Sequence, residues 1–589
     1  KGMTSTETGQ FGELEDTVKL LSGWSDKQTH QTWNIPTEPE ETDTSLFAGV
    51  QLEDEALSVD FDAKEISDSV SSFGRGFQHQ RTLLSSQAST SSKDSRFRKL
   101  KLKNTTTATP NVSASSSIQA GAPVAATKPV APPPPAPKPP ESTVEFLTET
   151  QANSDPFSTF SLNVSDVSFK LAAASLETDQ VPDPTSVRVE EFVNAFHYYD
   201  PLPASGLDTV IKTERARFPF AHNRDVLRVS VQTSAQGRPT DKSLNLVLLL
   251  DNSGSMERPD RREIVQAALR ILAEKLSTSD KISVVAFSRT ARLWVDGLSG
   301  GQPDELLNSI SRLLPQGGTN LEEALNQAYH TATKFHSNQY SSRVILLTDG
   351  AANLGNIDPE ALTRLVETQR RNGIALDCFG IGWQGFNDTL LEELSRNGDG
   401  RYGFLNSLEE VNAEFAEKLA GAFRPAASDV KVQIEFNPQR VKSHRLIGYA
   451  NHRLKKEQFR DNTVDAAELG SNESGNALYI LETELNGSGP IATMQLRYRI
   501  PGTGQYVESS RTIPFEAEVP ALRDAPESLR LATVAGVFGE WLAGNPFTEG
   551  ITLRSLADLL RGVSEAFPYE TRPQQLEWMI QKTSGLTGK

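Results

Sequence analysis

The 589-residue chain has a single cysteine, Cys378, which excludes an intrachain disulfide and any cysteine-based zinc site. Its setting, Ile374 to Phe379, is strand-like, so a packed thiol is expected rather than a reactive one. No apolar run approaches the roughly 18 residues needed to cross a bilayer. The 8 histidines supply no two-histidine metal motif, and His197, His330 and His336 read as packing or surface residues. Basic residues are outnumbered, 59 Lys and Arg against 76 Asp and Glu, giving a net charge of -17. Without a concentrated basic face, nucleic acid is not the expected partner, and the acid excess suits solubility and divalent cations better. Hydrophobic content is also low, at 37%. A chain this long is expected to hold more than one folded unit and an unfolded portion besides. It opens on Lys1 rather than an initiator Met, which leaves room upstream for a signal or anchor.

Residues 1–150 are expected to be a disordered, proline-rich linker. They carry an acidic stretch at 38–68, a basic patch at 93–103 and a proline cluster at 131–140. Proline-rich sequence favours extended geometry and spaces what lies on either side. Residues 151–240 read as helices at 168–176 and 187–196 with flanking sandwich strands, one at 155–164 and others within 209–232. From 241 to 422 strands (246–250, 282–287, 292–295, 344–347, 374–381, 400–405) alternate with helices (262–276, 304–314, 321–335, 359–372, 389–396, 408–421). Such alternation predicts an α/β fold, a doubly wound and mostly parallel sheet with helices on both faces. Residues 423–520 are strand-rich (430–436, 477–485, 494–500, 512–515). Together with 209–232 they predict a β-sandwich into which the α/β domain is inserted. Residues 521–589 read as a helical segment, 529–542, 553–567 and 573–583.

The stretch 245–250 is an unbroken apolar run that stops at Asp251, with Ser253 and Ser255 on the following turn. An apolar run of this kind is what a central strand of a parallel sheet looks like, and such sheets collect ligands at their carboxyl ends. Two other segments break in the same manner. Strand 344–347 runs into Thr348-Asp349-Gly350, and the loop Pro315-Gln316-Gly317-Gly318 places Thr319 just before a helix. Asp251, Ser253, Ser255, Thr319 and Asp349 can therefore converge at one sheet edge. Two carboxylates and three hydroxyls, without sulfur or imidazole, suit a hard divalent cation and disfavour zinc or copper. Mg²⁺ is the expected ion, with Mn²⁺ or Ca²⁺ as alternatives. Two aspartates only balance its charge, leaving it able to attract one further carboxylate.

Asp251-x-Ser253-x-Ser255, Gly317-Gly318-Thr319 and Thr348-Asp349-Gly350, in this order, resemble the metal-ion-dependent adhesion site of von Willebrand factor type A domains, over about residues 245–421. The resemblance implies that the two serines and Thr319 contact the metal, and that Asp251 and Asp349 do so directly or through water. It also implies a protein ligand whose acidic residue completes the coordination. Segments 155–164, 187–196, 434–449 and 461–470 are similar to those flanking the A domain in the bacterial YfbK-like group. That likeness implies a bacterial cell-envelope protein, attached to the membrane only through an anchor upstream of residue 1. Met256-Glu257-Arg258-Pro259 lacks the acidic residues that serve a second adjacent cation in integrin β subunits, so one metal is expected.

Rival readings are weaker. Gly380-Ile381-Gly382-Trp383-Gln384-Gly385 has a dinucleotide-loop pattern, but the next strand ends in Asn406-Ser407 where a ribose-binding acid belongs. Ser253 lacks the nucleophile elbow, since Asp251 stands in the place of its first glycine. The expected function is thus non-enzymatic, cation-dependent protein binding, as adhesin or scaffold. The alternatives are an intracellular scaffold for an assembly ATPase, then a metal-dependent hydrolase, and an A domain that uses no metal. Oligomeric state is open.

Overall fold

The computed structural model describes residues 146–235, 242–350, 359–382, 387–415, 423, 425–501 and 503–589. The expectations for the acidic, basic and proline-rich stretches of the first 145 residues lie outside the described residues.

Two short strands, β1 (Thr150–Gln151) and β2 (Phe157–Ser161), precede helices α1 (Val167–Glu177) and α2 (Val189–Val193), and then strands β3 (Thr209–Arg217) and β4 (Arg224–Thr233). The alternating region follows. Its strands are β5 (Ser243–Asp251), β6 (Lys281–Phe287), β7 (Ala291–Ser299), β8 (Tyr340–Thr348), β9 (Ile374–Ile381) and β10 (Tyr402–Leu405). Between them run α3 (Pro259–Lys275), α4 (Pro303–Ser311), α5 (Leu321–Thr333), α6 (Pro359–Arg371) and α7 (Asp388–Asn397).

These six strands form one sheet in the order β10-β9-β8-β5-β6-β7, parallel throughout except for β7. The segment expected as a strand at 292–295 is this antiparallel edge, reached by a tight hairpin from β6. Strand β5 lies between β8 and β6, so both of its edges are paired, and helices cover both of its faces. Its residues divide with a period of two. Val247 and Leu249 pack with Leu325 and Ala328 of α5, while Leu246, Leu248 and Leu250 pack with Ile264, Ala268 and Leu272 of α3. Fully burying each such leucine contributes about 1.5–3 kcal/mol, which fixes the register of the strand and the position of its last residue, Asp251. Of the helix expected at 408–421, the described residues hold a short helical turn, Leu408–Glu410, running into a wider π turn, Val411–Phe415, and 416–421 lie outside the described residues.

Seven further strands follow: β11 (Pro425–Phe436), β12 (Val441–Ile447), β13 (Arg453–Leu454), β14 (Ala467–Gly470), β15 (Ser474–Thr483), β16 (Ala492–Arg499) and β17 (Tyr506–Ile513). They join the early strands in two antiparallel sheets, β1-β12-β15-β4-β3 and β13-β2-β11-β16-β17, with β14 on β11. Phe160, Val229, Val432, Ile434, Tyr479 and Leu496 place both sheets in one core. Alternate residues of β15, Leu478 and Ile480, turn the other way and pack on α1, α2 and the closing helices α8 (Glu527–Leu542), α9 (Leu553–Leu560) and α10 (Arg572–Thr587). Strands β12 and β14 were not expected from the sequence. Buried ion pairs tie these layers: Arg445 of β12 to Glu540 of α8, and Arg188 to Glu191 and to Asp388 at the start of α7.

Candidate metal centre

Parallel strands present their carboxyl ends at one edge, and there the candidate residues collect. Asp251 closes β5 and is buried. Its Oδ1 accepts from the Ser253 amide over 2.9 Å, a turn that folds the chain back over the carboxylate, and its Oδ2 accepts from the Thr348 hydroxyl over 2.6 Å. The hydroxyls of Ser253 and Ser255 lie 2.9 Å apart, sharing one hydrogen bond. Met256, packed into the core beneath, donates its amide to the Ser253 carbonyl over 3.1 Å and pins this turn.

The loop carrying Thr319 is stitched to the same turn. Gln316 donates its amide to the Asn252 carbonyl over 2.8 Å, and the Asn252 side chain donates to the Leu314 carbonyl over 2.6 Å. Beyond it, the Asn320 amide bonds the Ser288 carbonyl over 2.7 Å, and the Asn320 side chain caps α5 by accepting from the Glu323 amide over 3.2 Å. Thr319 is buried between these anchors. Asp349, one residue past β8, has no exposed surface, and its Oδ2 accepts from the Arg261 guanidinium. The same Arg261 nitrogen donates to the Ser255 carbonyl over 3.1 Å, linking the third segment to the first.

All five sequence-predicted residues thus stand at one edge. Asp251, Ser253 and Ser255 are directly hydrogen-bonded, Asp349 is joined to Ser255 through Arg261, and Thr319 is held by the stitched loop. Sequence reasoning missed Thr348 and Arg261. Thr348 adjoins Asp349 and was legible as an end-of-strand hydroxyl, whereas nothing local marks Arg261 within the basic run Arg258 to Arg262.

Burial pushes the Asp251 carboxyl up to about 6, against the lowering effect of the Thr348 and Ser253 hydrogen bonds and with a further push from the Asp349 charge. A buried carboxylate raised by a second one nearby is a pair that a cation would relieve. Among the described residues no group of three or more His, Cys, Asp or Glu could hold a metal ion. The donors gathered here are two carboxylates with hydroxyls, a set that fits a hard divalent ion. Elsewhere, Cys378 is buried in β9 with its thiol pushed up by burial. The glycine-rich stretch after β9 lies outside the described residues at 383–386.

Comparison with known proteins finds a domain and a group of relatives. The von Willebrand factor type A domain model matches residues 246–351, a model described as von Willebrand factor matches 143–228, and the C-terminal model of the uncharacterized protein YfbK matches 421–584. The chain is 27% identical over 465 residues to the uncharacterized protein YfbK of Escherichia coli (strain K12), covering 74% of this chain and 80% of that one. The chain carries a von Willebrand factor type A domain and is similar to the YfbK-like proteins over most of its length. The uncharacterized protein sll0103 of Synechocystis is 24% identical over 50% of this chain and 70% of its own length. The inter-alpha-trypsin inhibitor heavy chain H2 of Mesocricetus auratus is 28% identical over 32% of this chain and 19% of its own. Among solved structures, a von Willebrand factor type A protein from Catenulispora acidiphila is 17% identical with a TM-score of 0.40, covering 61% of this chain and 87% of that chain. Proximal thread matrix protein 1 of the mussel byssus, with a zinc-occupied MIDAS motif, is 20% identical with a TM-score of 0.27, covering 31% and 48%.

Proposed function

We propose that this chain is a non-enzymatic, cation-dependent protein-binding protein of the bacterial cell envelope. Asp251, Ser253, Ser255, Thr319 and Asp349 would hold one Mg²⁺, and a carboxylate of the partner would complete its coordination. The observation that carries this reading is the convergence of three separate segments on two buried carboxylates and a linked pair of serine hydroxyls at the sheet edge. The Ser253 hydroxyl shares its hydrogen bond with Ser255 rather than with an imidazole, which favours a ligand role over a nucleophilic one.

The rim supports a protein partner. Leu314 is 74% exposed on the loop fastened to Asn252, and Arg289 beside it donates to the Gly317 carbonyl over 3.1 Å. An apolar side chain and a guanidinium beside the cradle suit an acidic, partly apolar epitope. We read 241–422 as the A domain, inserted between sandwich segments 151–240 and 423–520, with 521–589 as a helical segment; residues 146–150, expected as the end of a linker, instead join the fold through β1 and the Glu149–Arg224 ion pair. The envelope placement rests on the likeness of the flanking segments to the YfbK-like group. Among the described residues no helix is long and apolar enough to cross a membrane.

Capture of partners from a bacterial envelope extract by the full chain, in Mg²⁺ and in EDTA, tests the proposal, with Asp251→Ala alongside. A partner retained only by the wild type in Mg²⁺ is expected. A partner retained equally in EDTA and by Asp251→Ala would contradict it.

A further inference from the structure

Arg261 sits in the first turn of α3, where side chains commonly reach solvent, yet its side chain is only 4% exposed. It turns inward, and one nitrogen serves both Asp349 and the Ser255 carbonyl. The space it fills is built for it. Gly382, just past β9, has φ +70°, and a Cβ there would stand 3.2 Å from Arg261 Nε and 3.7 Å from its Cγ. A side chain at that position would press on the arginine, so the glycine both makes the turn and leaves the slot open. A buried guanidinium therefore enters an otherwise all-oxygen cradle and supplies positive charge to the buried Asp349 carboxylate.

We propose that Arg261 is a resident counter-cation of the centre, holding Asp349 when no metal is bound and competing with a divalent cation for it. The inference rests on the reading of these residues as a metal site. Its physical basis is charge. With Arg261 in place the cradle carries two negative charges and one positive; without it the full double charge faces an incoming cation. Arg261 thus sets the affinity of the centre low enough for the metal to exchange, and keeps the fold intact when the metal is absent. An arginine that merely oriented Asp349 for the metal would act in the opposite sense, since its loss would loosen a ligand.

Titration calorimetry with Mg²⁺ alone, on the full chain as wild type, Arg261→Gln and Arg261→Lys, separates these roles. Thermal melts in EDTA and in Mg²⁺ accompany it. The counter-cation role predicts that Arg261→Gln binds Mg²⁺ roughly tenfold more tightly, melts lower in EDTA and is restored by Mg²⁺. Arg261→Lys, which keeps the charge, stays near wild type. An Arg261→Gln chain that folds only with Mg²⁺ present supports the proposal. Equal or weaker binding by Arg261→Gln, or failure to fold with and without Mg²⁺, overturns it while leaving wild-type binding to stand. If neither wild type nor Arg261→Gln takes up Mg²⁺, the metal reading falls and this inference with it.

Discussion

The Thr348 hydroxyl donates a 2.6 Å hydrogen bond to Oδ2 of Asp251, tying the carboxyl end of β8 to that of β5. Both carboxylate oxygens are thereby committed to one orientation, since Oδ1 accepts from the Ser253 amide. The cradle is fixed by the fold before any ligand arrives, which lowers the ordering cost of binding.

Thr348→Val keeps the shape of this side chain and removes its donor. A buried carboxylate then loses one partner, so the metal-free protein should be destabilised by about 1–3 kcal/mol. Urea unfolding in EDTA measures this. No change in stability would mean that the Thr348 bond does not hold Asp251.

His452 provides a pH test away from the centre. It is buried against Asn163 and Glu190, with Arg188 and Arg396 nearby, and burial depresses its ring to about 4 despite the Glu190 charge. The unfolded chain therefore takes up a proton near pH 6.5 that the folded chain refuses until about pH 4. Stability is lost as the pH falls across that window, by about 2 kcal/mol between pH 7 and pH 5. Half-buried Glu468, pushed up to about 8 chiefly by burial, acts in the opposite sense, losing stability as the pH rises. The informative quantity is thus the difference between wild type and His452→Asn in urea unfolding across that range. Parallel curves would sink the assignment.

Leu314→Asp tests the rim. At 74% exposure the side chain has little packing to lose, so stability should change by no more than about 0.5 kcal/mol. Partner retention in Mg²⁺ should fall sharply, because the new carboxylate repels an acidic epitope and removes an apolar contact. Undiminished retention would place the partner elsewhere.

The central strand and the position of Asp251 at its end were legible because burial on both faces leaves no polar residue between 246 and 250, and the first polar side chain marks the strand end. Strand β12 was hidden for the opposite reason. Ser443, His444 and Arg445 are polar yet buried, each satisfied by a distant group: Glu149, the Asp155 carbonyl and Glu540. Strand β17 is an edge whose middle residues, Glu508 to Arg511, are exposed, so its pairing with β16 is not written in its own hydropathy. Arg261 escaped notice because its role depends on Gly382 and Asp349, both far away in sequence. Local patterns reveal which residues end strands, and only the fold reveals which cation faces them.

The central claim, a divalent cation held by Asp251, Ser253, Ser255, Thr319 and Asp349, is tested most directly by titrating Mg²⁺ into the metal-free full chain and into Asp251→Ala by calorimetry. A single binding event near one ion per wild-type chain, abolished in Asp251→Ala, is the predicted result. Absence of binding in the wild type, or equal binding by Asp251→Ala, would contradict it.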